Sequence, residues 1–251
     1  MQPEEIPLYL NWSFWAVVVA ALAVLLSQIP PLHIIFRKAR IEIEPYSRLA
    51  LTHRVGNPNL QLHLIISNIG GRRLRVKNIE AIVSRDGSQV ASLPVQNYYQ
   101  TKSDTNTVLF TRFTIEPNED WGHTVNFLNW FARDEEREYR EMEGRLKADI
   151  NQKRSRMAGD VTELIEADPG NVSPLQAFFK DKFIWTASEY ELVIKVTTDV
   201  EKANLEQKFR FTIFEYYETE LRKITDEYKY GAGIYWESNT PQTVFIDLKK
   251  A

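Results

Sequence analysis

The chain is 251 residues long, with 31 Lys and Arg against 34 Asp and Glu, a net charge of −3 and no cysteine. That balance lacks the basic footprint of nucleic-acid binders. The absence of cysteine excludes a disulfide framework, a thiolate zinc site, an iron–sulfur cluster and a cysteine nucleophile.

The first predicted element is apolar. From Ile6 to Phe36 there is no Asp, Glu, Lys or Arg, and Val17 to Leu26 is the dense centre of the run. A hydrocarbon core of roughly 30 Å needs about 20 apolar residues at helical rise. Tyr9, Trp12 and Trp15 gather at one end and Arg37, Lys38 and Arg40 at the other, as interfacial aromatics and snorkelling cations do. A cleaved signal peptide would want a basic stretch before the run, and none is there. The expectation is therefore a single-pass transmembrane helix over residues 12–36, broken near Pro30-Pro31, after a non-cytoplasmic tail of residues 1–11. With zero cations before the span and three after it, the N-terminus should lie outside and the remainder in the cytoplasm, as in a bacterial inner-membrane protein. Ala16, Ala20, Ala23 and Ser27 fall at spacings of four, three and four, a small-residue face suited to close helix packing, and Gln28 adds a polar group.

After Arg40 the period becomes two. Ile41 and Ile43 alternate with Glu42 and Glu44, and Leu60, Leu62, Leu64 and Ile66 form one aliphatic face opposite Gln61, His63 and Ser67. The turn Asn68-Ile69-Gly70-Gly71 leads into a strand over Leu74–Val83, with a turn at Arg85–Ser88, a short run at Val90–Val95 and a further strand over Thr107–Glu116. In the third strand Arg73, Arg75 and Lys77 share a face, with Arg72 just before them. Together with Arg37, Lys38 and Arg40 they would suit an anionic membrane surface, or they protect an edge strand from aggregation.

A helical insertion is predicted over residues 126–184, between a first part of the β domain (37–125) and a second (185–251). Glu136/Arg140, Glu141/Arg145 and Glu143/Lys147 are acid-before-base pairs at i,i+4. Phe127, Phe131, Tyr139, Met142, Leu146 and Ile150 supply one apolar stripe, which Met157, Val161 and Leu164 extend. Ser173-Pro174 reads as the start of a second helix. Trp121, Phe127, Trp130 and Phe131 read as an aromatic cluster at the root of the insertion. Alternation then returns at Tyr190–Val196 and Phe209–Ile213, with weaker strands at Gly233–Trp236 and Thr243–Leu248. The predicted class is a single N-terminal transmembrane helix followed by a mainly-β domain, an antiparallel immunoglobulin-like β-sandwich with a helical insertion. That likeness is architectural and carries no function.

No motif for catalysis emerges. There is no HExxH, GxSxG, P-loop or GxGxxG pattern, and the four histidines are widely spaced. No catalytic residue, metal ligand or cofactor is expected. The leading expectation is a non-catalytic, membrane-anchored protein-interaction module, an accessory or assembly subunit of a membrane complex. Its partners would be the membrane and either other membrane-protein subunits or copies of itself. The alternative is a membrane-tethered ligand sensor or effector whose helices oligomerise, in one form as a pore.

Overall fold

Leu60, Leu62, Leu64 and Ile66 are each at most 1% exposed, whereas Asn59, Gln61, His63 and Ile65 between them are half-buried. Period-two patterning of this kind puts one face of every strand into a shared interior. The computed structural model describes residues 12–28, 38–101, 106–157, 164–240 and 242–251. The strands run in chain order β1 (Ile41–Arg54), β2 (Asn57–Asn68), β3 (Leu74–Arg85), β4 (Ser88–Tyr99), β5 (Val108–Leu109), β6 (Phe113–Ile115), β7 (Asp120–Leu128), β8 (Ser188–Thr198), β9 (Leu205–Ile213), β10 (Val244–Asp247) and β11 (Lys249–Lys250).

These make one eleven-stranded antiparallel sheet in the order β10-β1-β2-β7-β4-β3-β8-β9-β11, with β5 on β4 and β6 on β3. The expected two-sheet sandwich is thereby corrected: the sheet curls into a nearly closed barrel. Two segments change partners to achieve this. Strand β4 pairs with β3 through Pro94 and with β7 from Val95 onward, across a bulge between Val95 and Asn97. At the opposite seam the C-terminal run pairs with β1 through β10 and with β9 through β11. Leu248 sits at the hand-over, and its N–H donates to the Ser47 carbonyl at 2.8 Å. Bulges bend strands and Pro tolerates a missing ladder bond, so the irregular positions are those where the sheet turns. Alternation specifies which face of each strand is buried; it is silent on whether the ends of a sheet meet.

The apolar segment also needs correction. Helix α1 spans Trp12–Gln28, 17 residues, about 25 Å at standard rise. No helix among the described residues is long and apolar enough to cross a membrane. The single-pass anchor, the outside-to-cytoplasm topology and the inner-membrane placement derived from it are therefore not supported. An apolar window counts toward a span only over the helix that contains it, and the described helix covers Trp12–Gln28 of the predicted 12–36. Arg37 and the Pro30-Pro31 break lie outside the described residues.

Three further helices are described. Helix α2 is Arg133–Ser155, α3 is Pro169–Lys182 and α4 is Glu215–Arg222, the last running into a 3₁₀ segment at Lys223–Tyr230. In α2 the Glu135 carboxylate accepts from the Ala132 N–H at 2.9 Å, and Asp134, Glu135 and Glu136 occupy the first turn, where the helix dipole favours acids. Its buried stripe is Tyr139, Met142, Leu146 and Ile150. Met157 and Leu164 do not extend that stripe, being 50% and 61% exposed. Phe127 belongs to β7, alternating inward with Val125, so the helix-like spacing of Phe127 and Phe131 is coincidental. Helix α3 begins at Pro169, behind Asp168, rather than at Ser173-Pro174.

The helices meet the barrel at the β1–β2 turn. Val55 and Gly56 both have positive φ, 50° and 85°, the pattern of a two-residue hairpin turn that matches strand twist. A Cβ at Gly56 would lie 2.3 Å from the Phe179 carbonyl oxygen, so only glycine lets α3 approach this closely. Beside it the buried His53 donates from Nε2 to the Leu221 carbonyl at 2.8 Å and accepts at Nδ1 from the Gly56 N–H at 3.3 Å. Phe179 and Phe183 pack edge-on to its ring at 5.0 and 5.6 Å. Trp185, fully buried, donates to the Thr52 carbonyl at 2.9 Å.

Two outcomes test this arrangement. Burial is the main cause that lowers the His53 pKa from 6.5; the Leu221 bond opposes it and the Arg222 charge adds to it. Below pH 6.5 the unfolded chain therefore binds more protons than the folded one, and stability falls with pH until the folded imidazole itself titrates. Urea unfolding at about pH 7.5 and about pH 5.5 should show that loss, and His53→Gln should flatten it; equal slopes in both proteins would assign it elsewhere. At the seam, Ile246→Ala should lower the unfolding free energy by about 2–5 kcal/mol. Phe245→Ala, one residue away on the outer face, should change it by about 0.5 kcal/mol or less. Equal effects would show that the C-terminal run does not close the barrel.

Candidate functional site

The sequence-predicted residues fall into two groups. Ala16, Ala20, Ala23 and Ser27 are exposed on α1, and Gln28 is its last residue. The Ser27 hydroxyl donates to the Val24 carbonyl at 2.7 Å. Of the basic set, Lys38, Arg40, Arg72, Arg73, Arg75 and Lys77 are all exposed. Gly70 brings Lys38 and Arg40 beside Arg72: its N–H donates to the Arg40 carbonyl at 3.0 Å, and a Cβ there would lie 2.6 Å from both Arg40 N and Lys38 O. Arg73 is paired with Glu116 at 3.2 Å. Strand β3 lies inside the sheet between β4 and β8, so protection of an edge is not the reason for its charges.

The aromatic cluster expected at the root of the insertion separates into parts. Trp121 stacks on Phe113 at 4.5 Å and touches Tyr98 and His123. Phe131 instead packs on Tyr139 and Phe178, and Trp130 is 64% exposed with its Nε1 donating to Gln96. Trp121 is near the start of β7 and Phe131 lies three residues past its end, so the strand separates them.

The richest site includes the face of β2 opposite the aliphatic row, Gln61 and His63, to which the sequence attached no function. Strand pairing sets Phe245, Ala50, Gln61, Asn126 and Asn97 side by side across β10, β1, β2, β7 and β4, on the face opposite the aliphatic interior, with Ala50 and Asn126 themselves buried. Gln61 Nε2 donates to Asn126 Oδ1 at 2.9 Å, and Asn126 Nδ2 donates to Asn97 Oδ1 at 2.6 Å. A parallel row runs Arg48, His63 and Thr124, with the His63 ring bonded to the Thr124 hydroxyl at 3.2 Å. Two cavities open on these rows. One of about 410 Å³ is lined by Tyr46, Arg48, Gln61, His63 and Phe245 among others; its neighbour, about 310 Å³, shares Ala50 and Gln61 with it.

Beyond the Arg48–Asp247 pair, 2.9 Å, the seam carries a further exposed aromatic group. Phe214 and Tyr216 stack at 5.9 Å, and Tyr216 lies 4.0 Å from Tyr217. The hydrogen bond with Tyr217 is the main reason the Tyr216 hydroxyl is pushed up to about 12. The side chains that line the two cavities are amides, hydroxyls and rings with one arginine, one histidine and the aliphatic Ala50 and Leu128, and no carboxylate lines either among the described residues. Such a set can offer a ligand hydrogen bonds and stacking. The signal for it in the sequence is the run of amides at alternate positions, Asn57, Asn59 and Gln61, where a merely solvated strand face more often carries Lys and Glu.

Elsewhere, no group of three potential metal ligands occurs among the described residues. No protein-family model matches the chain, and no curated protein or solved structure matches it either.

Proposed function

We propose that the chain is a non-catalytic protein-interaction module, an accessory or assembly subunit that associates through α1 with other copies of itself. One observation carries the reading. Helix α1 has no Asp, Glu, Lys or Arg, and every side chain from Trp12 to Ser27 except Val18 is exposed. Trp12 is 90% and Val17 68% open. A helix that is apolar all round is stable in water only when other groups cover it, and among the described residues its side chains stay largely exposed.

Identical helices suit one another here. Ala16, Ala20, Ala23 and Ser27 form a small-residue face that is self-complementary about a two-fold axis, so two backbones approach closely. No like charges oppose the contact. A ligand-binding reading also has an observation in its favour, the pair of amide-lined cavities on the barrel wall.

Native mass measurement of the full chain tests the assembly. The parent should be oligomeric, and Ala20→Leu should shift it at least tenfold toward monomer by pushing the backbones apart. Val19→Leu, about a hundred degrees around the helix, should leave the oligomer intact. A monomeric parent, or two variants that assemble alike, would sink self-association through this face.

A further inference from the structure

The row across the barrel wall combines three features that seldom occur together. Gln61, Asn126 and Asn97 form a hydrogen-bonded amide relay over three strands. Beside it Asn59 Oδ1 is buried without a hydrogen-bond partner among the described residues. Next in the row, Ala50 is the one small side chain, and its methyl leaves a hollow between Gln61 and the 61%-exposed ring of Phe245. At about 4.8 Å between neighbouring strands, the row from Phe245 to Asn97 extends roughly 19 Å.

We infer that this amide row, with Phe245 and Tyr46 at its end, is a binding site for a neutral oligosaccharide. A primary amide offers two donors and an acceptor at one side-chain tip, and a sugar hydroxyl both donates and accepts, so each amide meets a pair of adjacent hydroxyls. The relay is directional. It leaves acceptor capacity at the Gln61 end and donor capacity at the Asn97 end, while Thr52, Thr107, Thr243 and Tyr99 add hydroxyls to the same cavity. The exposed rings supply the other half of sugar recognition, an apolar plane on which the C–H face of a pyranose rests; Phe245 flanks the Ala50 hollow and Tyr46 lines the adjoining cavity.

Other ligand classes fit less well. Among the described residues the smaller cavity has no charged residue in its lining, so an anionic or cationic group would be desolvated there with no counter-charge from them. An extended peptide joins a sheet by pairing with backbone groups at an edge. Across β2, β7 and β4 this face presents only side chains, on strands whose backbones are paired on both sides. A helix wants an apolar groove, and this one is lined by amides. The inference does not depend on self-association through α1.

The test titrates the full chain, in a solution whose solubilising agent carries no sugar, with cellohexaose, mannohexaose and chitohexaose, and with hexagalacturonate as the anionic counterpart. At least one neutral hexamer should bind, and hexagalacturonate should bind at least tenfold more weakly. Gln61→Ala and Phe245→Ala should each weaken the neutral hexamer at least tenfold, with melting temperature recorded to establish that both variants fold. Arg75→Ala, away from this face, should bind as the parent does. Hydrogen exchange on the unaltered protein supplies a readout independent of any variant: the bound hexamer should slow exchange in β2, β7 and β4. The inference is overturned if no neutral hexamer binds at millimolar concentration, if hexagalacturonate or a random peptide library binds this face more tightly, or if binding survives in folded Gln61→Ala and Phe245→Ala alike.

Discussion

The barrel depends on the hand-over at Leu248. Without it, β1 and β9 would be the two open edges of a long curled sheet, each with a row of unpaired backbone groups. The last residues occupy both edges at once, Val244–Asp247 against β1 and Lys249–Lys250 against β9. Val244, Ile246 and Leu248 are buried in the process, each to 9% exposure or less. Burying such side chains contributes about 1.5–3 kcal/mol apiece, so the closing run is held by its inward face as well as by its ladder bonds. The pairing that completes the sheet is also the most distant in sequence: Arg48 opposes Asp247.

Closure settles what each outer position becomes. Once β10 lies beside β1, Phe245 stands next to Ala50 and the row continues through Gln61, Asn126 and Asn97. Asp247 reaches Arg48 from the same segment, and Phe214 and Tyr216 gather along the same seam. An aromatic platform and an amide relay from four distant stretches of chain thus share one surface. The wall that bears them is stiff, because its inner face is packed aliphatic side chain and its backbone is paired on both sides. That stiffness suits recognition by preset polar groups, whose hydrogen bonds cost less when no side chain must be ordered to form them.

The helices divide into those the barrel holds and one it does not. Helices α3 and α4 are tied to the β1–β2 turn through Phe179, Phe183 and the Leu221 carbonyl, with His53 at the junction. Helix α2 adds Tyr139, whose hydroxyl donates to the Ile234 carbonyl at 2.8 Å, and Glu135, paired with Lys182 at 2.6 Å. The ion pairs on its exposed side, such as Arg140 with Glu136 and Glu143, add little individually in high dielectric. Helix α1 is the exception: it is apolar, and among the described residues its side chains remain largely exposed.

Local physics was enough to determine much of the chain. Alternation at Leu60–Ile66 and at Tyr190–Val196 specifies strands with one buried face, because the side-chain period of a strand is two whatever its neighbours. The stripe Tyr139, Met142, Leu146 and Ile150 specifies an amphipathic helix for the same kind of reason. Composition likewise showed an apolar segment near the start, but hydropathy averages residues and does not measure the helix that contains them, and the described helix of 17 residues is too short to cross a membrane. What only the tertiary structure decided is long-range pairing: the change of partners within β4, the closure by the C-terminal run, and the assignment of Phe127 to the barrel. Those depend on which edges meet after several bulges bend the sheet, and no local period encodes that meeting. The amide row was hidden for the same reason, since Gln61, Asn97 and Asn126 are neighbours only across strands.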